Sequence, residues 1–181
     1  GVFGPECVRG RPRSEYVSDV GFVGNTAYGH KEHAGYRKAM LDALRAGFGD
    51  RVAFWPKPGV PGPWGLAYND LLASVRVVVG DSWQGAVRYH SNRVWECVGR
   101  GGFMVHPAVP GLVEMLPQGM GVVYFPPGDW EAMCDTISLT SGTLGPSGQI
   151  NSTGPGTNIP AWMTVEFYGA QWFFFDFETS E

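Results

Sequence analysis

The chain has 181 residues, enough for one domain with a substantial core. Hydrophobic residues make up 44% and charged residues 17%, a balance that excludes a disordered chain. Its 13 basic and 17 acidic residues give a net charge of −4, which predicts no nucleic-acid partner. No apolar run approaches about 20 residues, and no signal-peptide core is seen, so we expect no membrane span and a cytoplasmic location.

Three cysteines, Cys7, Cys97 and Cys134, are widely spaced and lack any C-x-x-C pair. Their odd number and spacing predict reduced thiols rather than a disulfide framework or a zinc site.

The first third of the chain predicts a lead-in, a strand and a helix. Residues 1–18 contain Gly, Pro and Arg without periodicity and predict a loose lead-in. From residue 19, VGFVGN predicts a buried strand that ends in a turn at Gly24–Asn25. An apolar stripe then predicts a helix over about 30–46, ended by glycines.

The same strand–helix unit recurs along the middle of the chain. Strands are predicted over 51–55, 75–79, 103–106 and 121–125, and helices over 66–74, 91–98, 112–116 and 129–137. Strands alternating with helices at this spacing indicate a parallel sheet covered on both faces. The predicted fold class is therefore α/β, a Rossmann-like sheet with helices on both faces.

The composition changes after Ser138. Gly, Ser, Thr and Pro dominate up to about residue 160, which is typical of a linker or an irregular loop. MTVEFYG and QWFFFDFE then predict a β-hairpin around Gly169–Ala170, whose aromatic residues must be covered by the domain or by a partner. The predicted organisation is a lead-in (1–18), a Rossmann-like domain (19–137) and a linker with a β-type tail (138–181).

The turn at Gly24–Asn25 is a candidate phosphate site. Gly24 would let the backbone approach a phosphate, and a following helix N-terminus favours an anion. The turn lacks the G-x-G-x-x-G spacing of a dinucleotide fingerprint, so a tight turn that simply needs glycine stays an alternative.

A second group of polar residues surrounds the third predicted helix. Glu96, in the crevice expected at the carboxyl ends of parallel strands, can accept both hydroxyls of a ribose. Arg88, Asn92 and Arg93 precede it, and arginine side chains suit two-point contact with a diphosphate. A surface ion pair between Glu96 and Arg100, at i and i+4, and an ordinary solvated helix start stay alternatives.

Histidines offer two further candidates. His106 ends its strand beside Pro107, either as a site residue or as a hydrogen-bonded structural histidine. His30 and His33 lie at i and i+3 with no third ligand evident, so we expect no metal site and no cofactor.

Four segments follow one another in the order found in a known family. They are GFVGN with the Arg37-containing helix, YNDLLASVRVVVGDS, NRVWECVGRGGFMVHPAVPGLVEML and GVVYFPPGDWEAM. Through these segments, residues 19–137 resemble the C-terminal, nucleotide-sugar-binding domain of GT-B glycosyltransferases. The nearest type is the group-1-like enzymes that resemble spore-coat maturation glycosyltransferases.

The resemblance implies roles for several residues. The family's R-x-x-E-x-x-x-x-G-G segment carries a glutamate that binds the donor ribose, and this glutamate corresponds to Glu96. Asn92 and Arg93 match polar residues just upstream, and the Gly24–Asn25 turn matches the loop near the donor phosphates. Retaining members often carry a second glutamate eight positions earlier, where this chain has Arg88, so neither retention nor inversion is assigned.

The resemblance therefore implies a nucleotide diphosphate sugar as ligand and hexosyl transfer as the reaction. The acceptor side would come from a second domain or a protein partner. The alternative is a non-catalytic structural or interaction module that assembles through its aromatic C-terminal tail.

Overall fold

The computed structural model describes residues 8–26, 31–57, 63–82, 90–143, 164–168 and 171–175, and its main feature is a five-stranded parallel sheet. The strands are β1 (Ser18–Val23), β2 (Val52–Trp55), β3 (Val75–Val79), β4 (Met104–Pro107) and β5 (Val122–Phe125). The helices are α1 (Lys31–Phe48), α2 (Leu66–Ser74), α3 (Arg93–Gly99), α4 (Leu112–Met115) and α5 (Trp130–Thr143). The predicted α/β, Rossmann-like fold class is confirmed.

The strand order is β2-β1-β3-β4-β5, with every neighbouring pair parallel. β1 lies between β2 and β3, and Val20 is in register with Val52 on one side and Val77 on the other. Along the chain, β2 is added on one side of β1, whereas β3, β4 and β5 are added on the other side, so the strand order reverses between β1 and β3. In open α/β sheets a ligand crevice forms at the carboxyl ends of the strands beside such a reversal.

Two hydrophobic layers hold the helices on the two faces of the sheet. Residues of α1 and α5, including Met40 and Met133, pack with Phe22 on one face. Residues of α2 and α3, including Leu71 and Cys97, pack with other sheet residues on the opposite face. Because both faces are buried, β3 reads as an almost continuous run of valines.

Several helix ends differ from the predictions, each for a local reason. α1 runs through Gly47 to Phe48, and Gly49 follows with the left-handed φ of 51° that favours glycine. α3 starts at Arg93 rather than at Ser91, because the Ser91 hydroxyl lies outside the helix and accepts the Arg93 backbone N–H at 3.3 Å.

The largest difference is at α5, predicted to end at residue 137 and found to continue to Thr143. The Gly, Ser, Thr and Pro content of the sequence after Ser138 predicts a linker that includes residues 138–143. Within the helix, the Thr136 and Thr140 hydroxyls donate to the carbonyl oxygens of Ala132 and Thr136, at 2.7 and 2.6 Å. Hydroxyl groups bonded back in this way are compatible with a helix, so composition alone misplaced its end.

Residues 8–17 pack against α2 and do not form the loose lead-in expected for residues 1–18. The Arg13 guanidinium donates to the Asp70 carboxylate at 2.7 Å, and the Arg11 backbone N–H donates to the same carboxylate at 2.8 Å. A Cβ atom at Gly10 would lie 2.1 Å from the backbone of Asn69, so only glycine fits this close approach.

The C-terminal strands are β6 (Thr164–Tyr168) and β7 (Gln171–Phe175), which pair antiparallel as the predicted hairpin. Their side chains, Cys7 and residues 144–163 lie outside the described residues. The prediction that the aromatic residues of the tail are covered by the domain or by a partner therefore stays a prediction.

Candidate functional site

A cavity of about 580 Å³ opens at the carboxyl ends of β1 and β2, between α2 and α3. Four consecutive residues, 23–26, line it at the end of β1 and just beyond, and Pro56 lines it after β2. The start of α2 contributes residues 63–65 and Tyr68, and the α3 region contributes Arg93, Glu96 and Arg100. The cavity therefore lies where the strand order predicts a ligand crevice, and it has the size of a small-molecule site.

Three charged residues of the α3 region line the cavity at regular spacing. Arg93, Glu96 and Arg100 are at i, i+3 and i+7, so they share one face and span roughly 10 Å along the axis. A cation, a carboxylate and a second cation are thus presented in a row. Such a face can bind an anion at either end and hydroxyl groups in the middle.

Arg93 belongs to a charge cluster at the ends of β1 and β3. The buried Asp81 carboxylate accepts two hydrogen bonds from the Arg37 guanidinium, from Nε at 2.6 Å and from Nη2 at 2.9 Å. Arg93 Nη1 lies 3.5 Å from the same carboxylate. Two guanidinium groups thus face one carboxylate. Arg37 is buried, whereas Arg93 reaches the cavity wall, so Arg93 is the member of this cluster that faces the cavity.

The backbone after β1 approaches Arg93 closely. A Cβ atom at Gly24 would lie 2.9 Å from Cζ and Nη1 of Arg93. The next residue, Asn25, accepts a hydrogen bond from Arg37 Nη1 at its carbonyl oxygen, at 3.1 Å. Glycine at position 24 therefore lets the guanidinium rest against the Gly24–Asn25 turn.

Arg100 ties the end of α3 to the start of α2. Its Nη1 donates to the carbonyl oxygen of Gly65 at 3.0 Å and to Oδ1 of Asn69 at 2.8 Å. Its guanidinium also lies 5.5 Å from the centre of the Tyr68 ring, within range of a cation–π contact. Because Arg100 is buried, the alternative of an exposed ion pair with Glu96 does not describe its surroundings.

Tyr68 and Trp64 form the aromatic part of the wall. Burial is the main cause of a raised pKa of Tyr68, and the neighbouring Cys97 and Glu96 raise it further, so the hydroxyl stays protonated. This hydroxyl is buried and has no hydrogen-bond partner within the described part of the chain. Trp64, the other aromatic residue of the wall, is largely exposed to solvent, with 76% of its surface accessible.

His106 belongs to the core and not to the cavity wall. Its Nδ1–H donates to the carbonyl oxygen of Pro107 at 2.8 Å, which leaves Nε2 to accept from the Ser82 hydroxyl at 3.0 Å. The Ser82 oxygen in turn accepts the backbone N–H of Ser91 at 3.2 Å. Burial lowers the pKa of His106 to about 4, so the ring is neutral near pH 7. These contacts fit the structural alternative for His106.

The structure brings some of the sequence-predicted residues together and separates others. Glu96, Arg93, Gly24 and Asn25 line the same cavity. Asn92 is exposed just before α3, and it is absent from the cavity wall, as is His106. Arg88 and His30 lie outside the described residues.

Sequence reasoning missed Asp81 and the aromatic wall. Asp81 follows β3 almost directly, and an acidic residue at the carboxyl end of a buried strand was an available signal. Trp64 follows a stretch of sequence rich in Pro and Gly, and nothing in its neighbours along the chain indicates that it lines a cavity.

A scan against protein-family models gives no match for this chain, and a search of curated proteins gives none either. Among the described residues, no helix is both long and apolar enough to cross a membrane. No group of three or more His, Cys, Asp or Glu side chains within those ranges is placed to hold a metal ion. The geometry defines a doubly wound α/β domain with a charged cavity at its strand ends, and function is inferred from that cavity.

Proposed function

We propose that the cavity binds a nucleotide diphosphate sugar and that the domain is the donor half of a glycosyl transfer enzyme. The observation that carries the proposal is the placement of Arg93 and Glu96 one helical turn apart on the wall of a single cavity. The family resemblance of residues 19–137 supports the same function, with Glu96 at the ribose.

The diphosphate would lie against Arg93 and the Gly24–Asn25 turn. Arg93 is half-buried, and charge-assisted hydrogen bonds from a guanidinium to phosphate oxygens are among the stronger polar contacts in proteins. The Arg37–Asp81 pair supports this role because it uses the buried guanidinium to neutralise the carboxylate. Arg93 lies farther from the same carboxylate, at 3.5 Å, and lines the cavity, where phosphate oxygens could accept hydrogen bonds from it.

The ribose would lie beside Glu96. A carboxylate accepts hydrogen bonds from two neighbouring hydroxyl groups, and a hydrogen bond to a charged group contributes about 1.5–3 kcal/mol. Tyr68 lines the same wall, but its hydroxyl is buried, so Glu96 is the polar side chain that would hold the nucleoside.

Transfer would proceed by positioning the donor and by stabilising the diphosphate as it leaves. Arg93 is the group that would take up the developing negative charge, and this form of catalysis works through fixed charges. The acceptor would be bound by a second domain or by a protein partner.

The test is a comparison of nucleotide binding by the wild type, Glu96→Ala and Glu114→Ala. A thermal-shift screen against UDP, GDP, ADP, TDP and their sugars first identifies the base. A ligand at about 100 times its dissociation constant raises the unfolding free energy by about 2.7 kcal/mol. We expect Glu96→Ala to weaken binding by about tenfold, from the loss of hydrogen bonds to a charged group.

Glu114→Ala is the matched control, because Glu114 is exposed on α4, and we expect it to bind like the wild type. Unchanged affinity in Glu96→Ala would remove Glu96 from the site. A screen in which no nucleotide stabilises the wild type would contradict the proposed function and favour an interaction module.

A further inference from the structure

Contacts with neighbouring elements define both ends of the row of charges along α3. At the Arg93 end, a Cβ atom at Gly24 would lie 2.9 Å from the guanidinium, so this end faces the turn after β1. At the other end, Arg100 Nη1 donates to the carbonyl oxygen of Gly65 at 3.0 Å, so this end faces the start of α2. The row therefore has a defined direction, with Glu96 between its two ends.

Trp64 lies at the second of these ends, directly before Gly65. It lines the cavity while 76% of its surface is exposed, and Pro56 and Pro63 line the wall with it. An indole is costly to leave in water, and a flat, exposed aromatic surface at the rim of a cavity can stack on another flat ring. At this end the Arg100 guanidinium is buried and donates to Gly65 and Asn69, so the exposed surface there is the Trp64 ring. The chemical order of the exposed groups along the cavity is thus a cation, a carboxylate and an aromatic surface.

This order is that of the parts of a nucleotide: phosphate, ribose and base. We propose that Trp64 stacks on the base of a nucleotide bound in this cavity, so that the diphosphate lies at Arg93 and the base lies at the start of α2. The inference rests on the proposed function and adds to it the direction of the ligand and the residue that holds the base. Stacking accepts any base, so selection among bases would come from other contacts.

The experiment measures the dissociation constants of nucleoside diphosphates, and of ligands without a base, for four proteins. These are the wild type, Trp64→Ala, Trp64→Phe and Leu66→Ala. Leu66 is the matched control, because it is an apolar neighbour with 63% of its surface exposed and is not on the cavity wall. The ligands without a base are pyrophosphate and ribose 5-phosphate, measured by displacement of a bound nucleotide.

We expect Trp64→Ala to weaken nucleotide binding by about tenfold and to leave pyrophosphate and ribose 5-phosphate unchanged, because only the base loses its stacking partner. Trp64→Phe keeps a ring and should recover most of the affinity, and Leu66→Ala should bind like the wild type. In the NMR spectrum, the indole N–H signal that Trp64→Phe removes should shift when nucleotide is added.

The inference is wrong if Trp64→Ala binds nucleotides as tightly as Leu66→Ala does. It is also wrong if the variant loses the same factor for pyrophosphate as for nucleotides, because Trp64 would then only shape the cavity. If nucleotides bind and Glu96→Ala weakens them while Trp64→Ala does not, the proposed function stands and only the direction fails. If the wild type binds no nucleotide, both are wrong.

Discussion

Replacing the Asp81 carboxylate by an amide should strongly destabilise the fold. None of the Asp81 side chain is exposed, and both of its oxygens accept hydrogen bonds from Arg37, at 2.6 and 2.9 Å. Asp81→Asn keeps the size of the side chain but removes its charge and places an N–H₂ group against a guanidinium. Arg37 would then be a buried cation without its counter-ion, and breaking a buried pair in this way costs about 3–5 kcal/mol.

Asp42→Asn is the matched control for this substitution. Asp42 pairs with Lys38 and Arg45 on α1, but 48% of its side chain is exposed, and exposed pairs contribute about 0–1 kcal/mol. The two variants therefore make the same chemical change in a buried pair and in an exposed pair. The structure predicts a difference of at least about 2 kcal/mol between their unfolding free energies.

Urea unfolding followed by circular dichroism measures this difference. At a typical slope of about 2 kcal/mol per molar urea, Asp81→Asn should lower the midpoint by about 2 M and Asp42→Asn by less than about 0.5 M. The slope itself should be unchanged, because the variants bury the same surface. Equal losses of unfolding free energy in the two variants would refute the buried ion pair as a major contributor to stability.

Two further predictions concern His106 and Gly24. The unfolded state binds a proton on histidine below pH 6.5, whereas burial keeps native His106 neutral down to about pH 4. As the pH falls from 6.5 to about 4, the unfolding free energy should therefore fall by about 3 kcal/mol. Urea titrations at several pH values measure this dependence, and His106→Gln should lose it. If the unfolding free energy of His106→Gln depends on pH as that of the wild type does, the assignment is disproved. Gly24→Ala should displace the Arg93 guanidinium and weaken nucleotide diphosphate binding several-fold, and it should also lower the midpoint of unfolding, because L side chains rarely adopt the φ of 159° found at Gly24. Gly35→Ala, where a Cβ atom meets open space, is its control, and equal affinities of the two variants in calorimetry would disprove the coupling.

Local patterns were enough to predict most of the sheet and its helices. α2 and β3 have the predicted bounds, because a helical apolar stripe and a run of β-branched residues are short-range signals. Where bounds differ, the cause is a contact that the local pattern does not contain. The threonine hydroxyls of α5 bond back to its own carbonyl oxygens, and residues 8–17 are held by a carboxylate of α2.

The candidate site was predictable only in part. Glu96 and Arg93 could be recognised because they lie on one predicted helix beside a strand end and within the R-x-x-E-x-x-x-x-G-G segment, which are again local relations. The pairing of Arg37 with Asp81 joins residues 44 positions apart and depends on the strand order. Trp64 lines the cavity next to Gly65, whose carbonyl oxygen accepts a hydrogen bond from Arg100 across 35 positions. Such contacts arise only once the sheet is assembled.

The strand order explains why these charges meet where they do. Because β1 is followed in space by β3, the turn after β1 and Asp81 after β3 lie side by side at the same edge of the sheet. A buried carboxylate at that edge needs a counter-ion, and Arg37 supplies it from α1, on the opposite face from the cavity. Arg93 on α3 adds a second cation from the cavity side. Asp81 therefore holds one cation from each face of the sheet, and the cation on the cavity side, Arg93, is the one that lines the cavity.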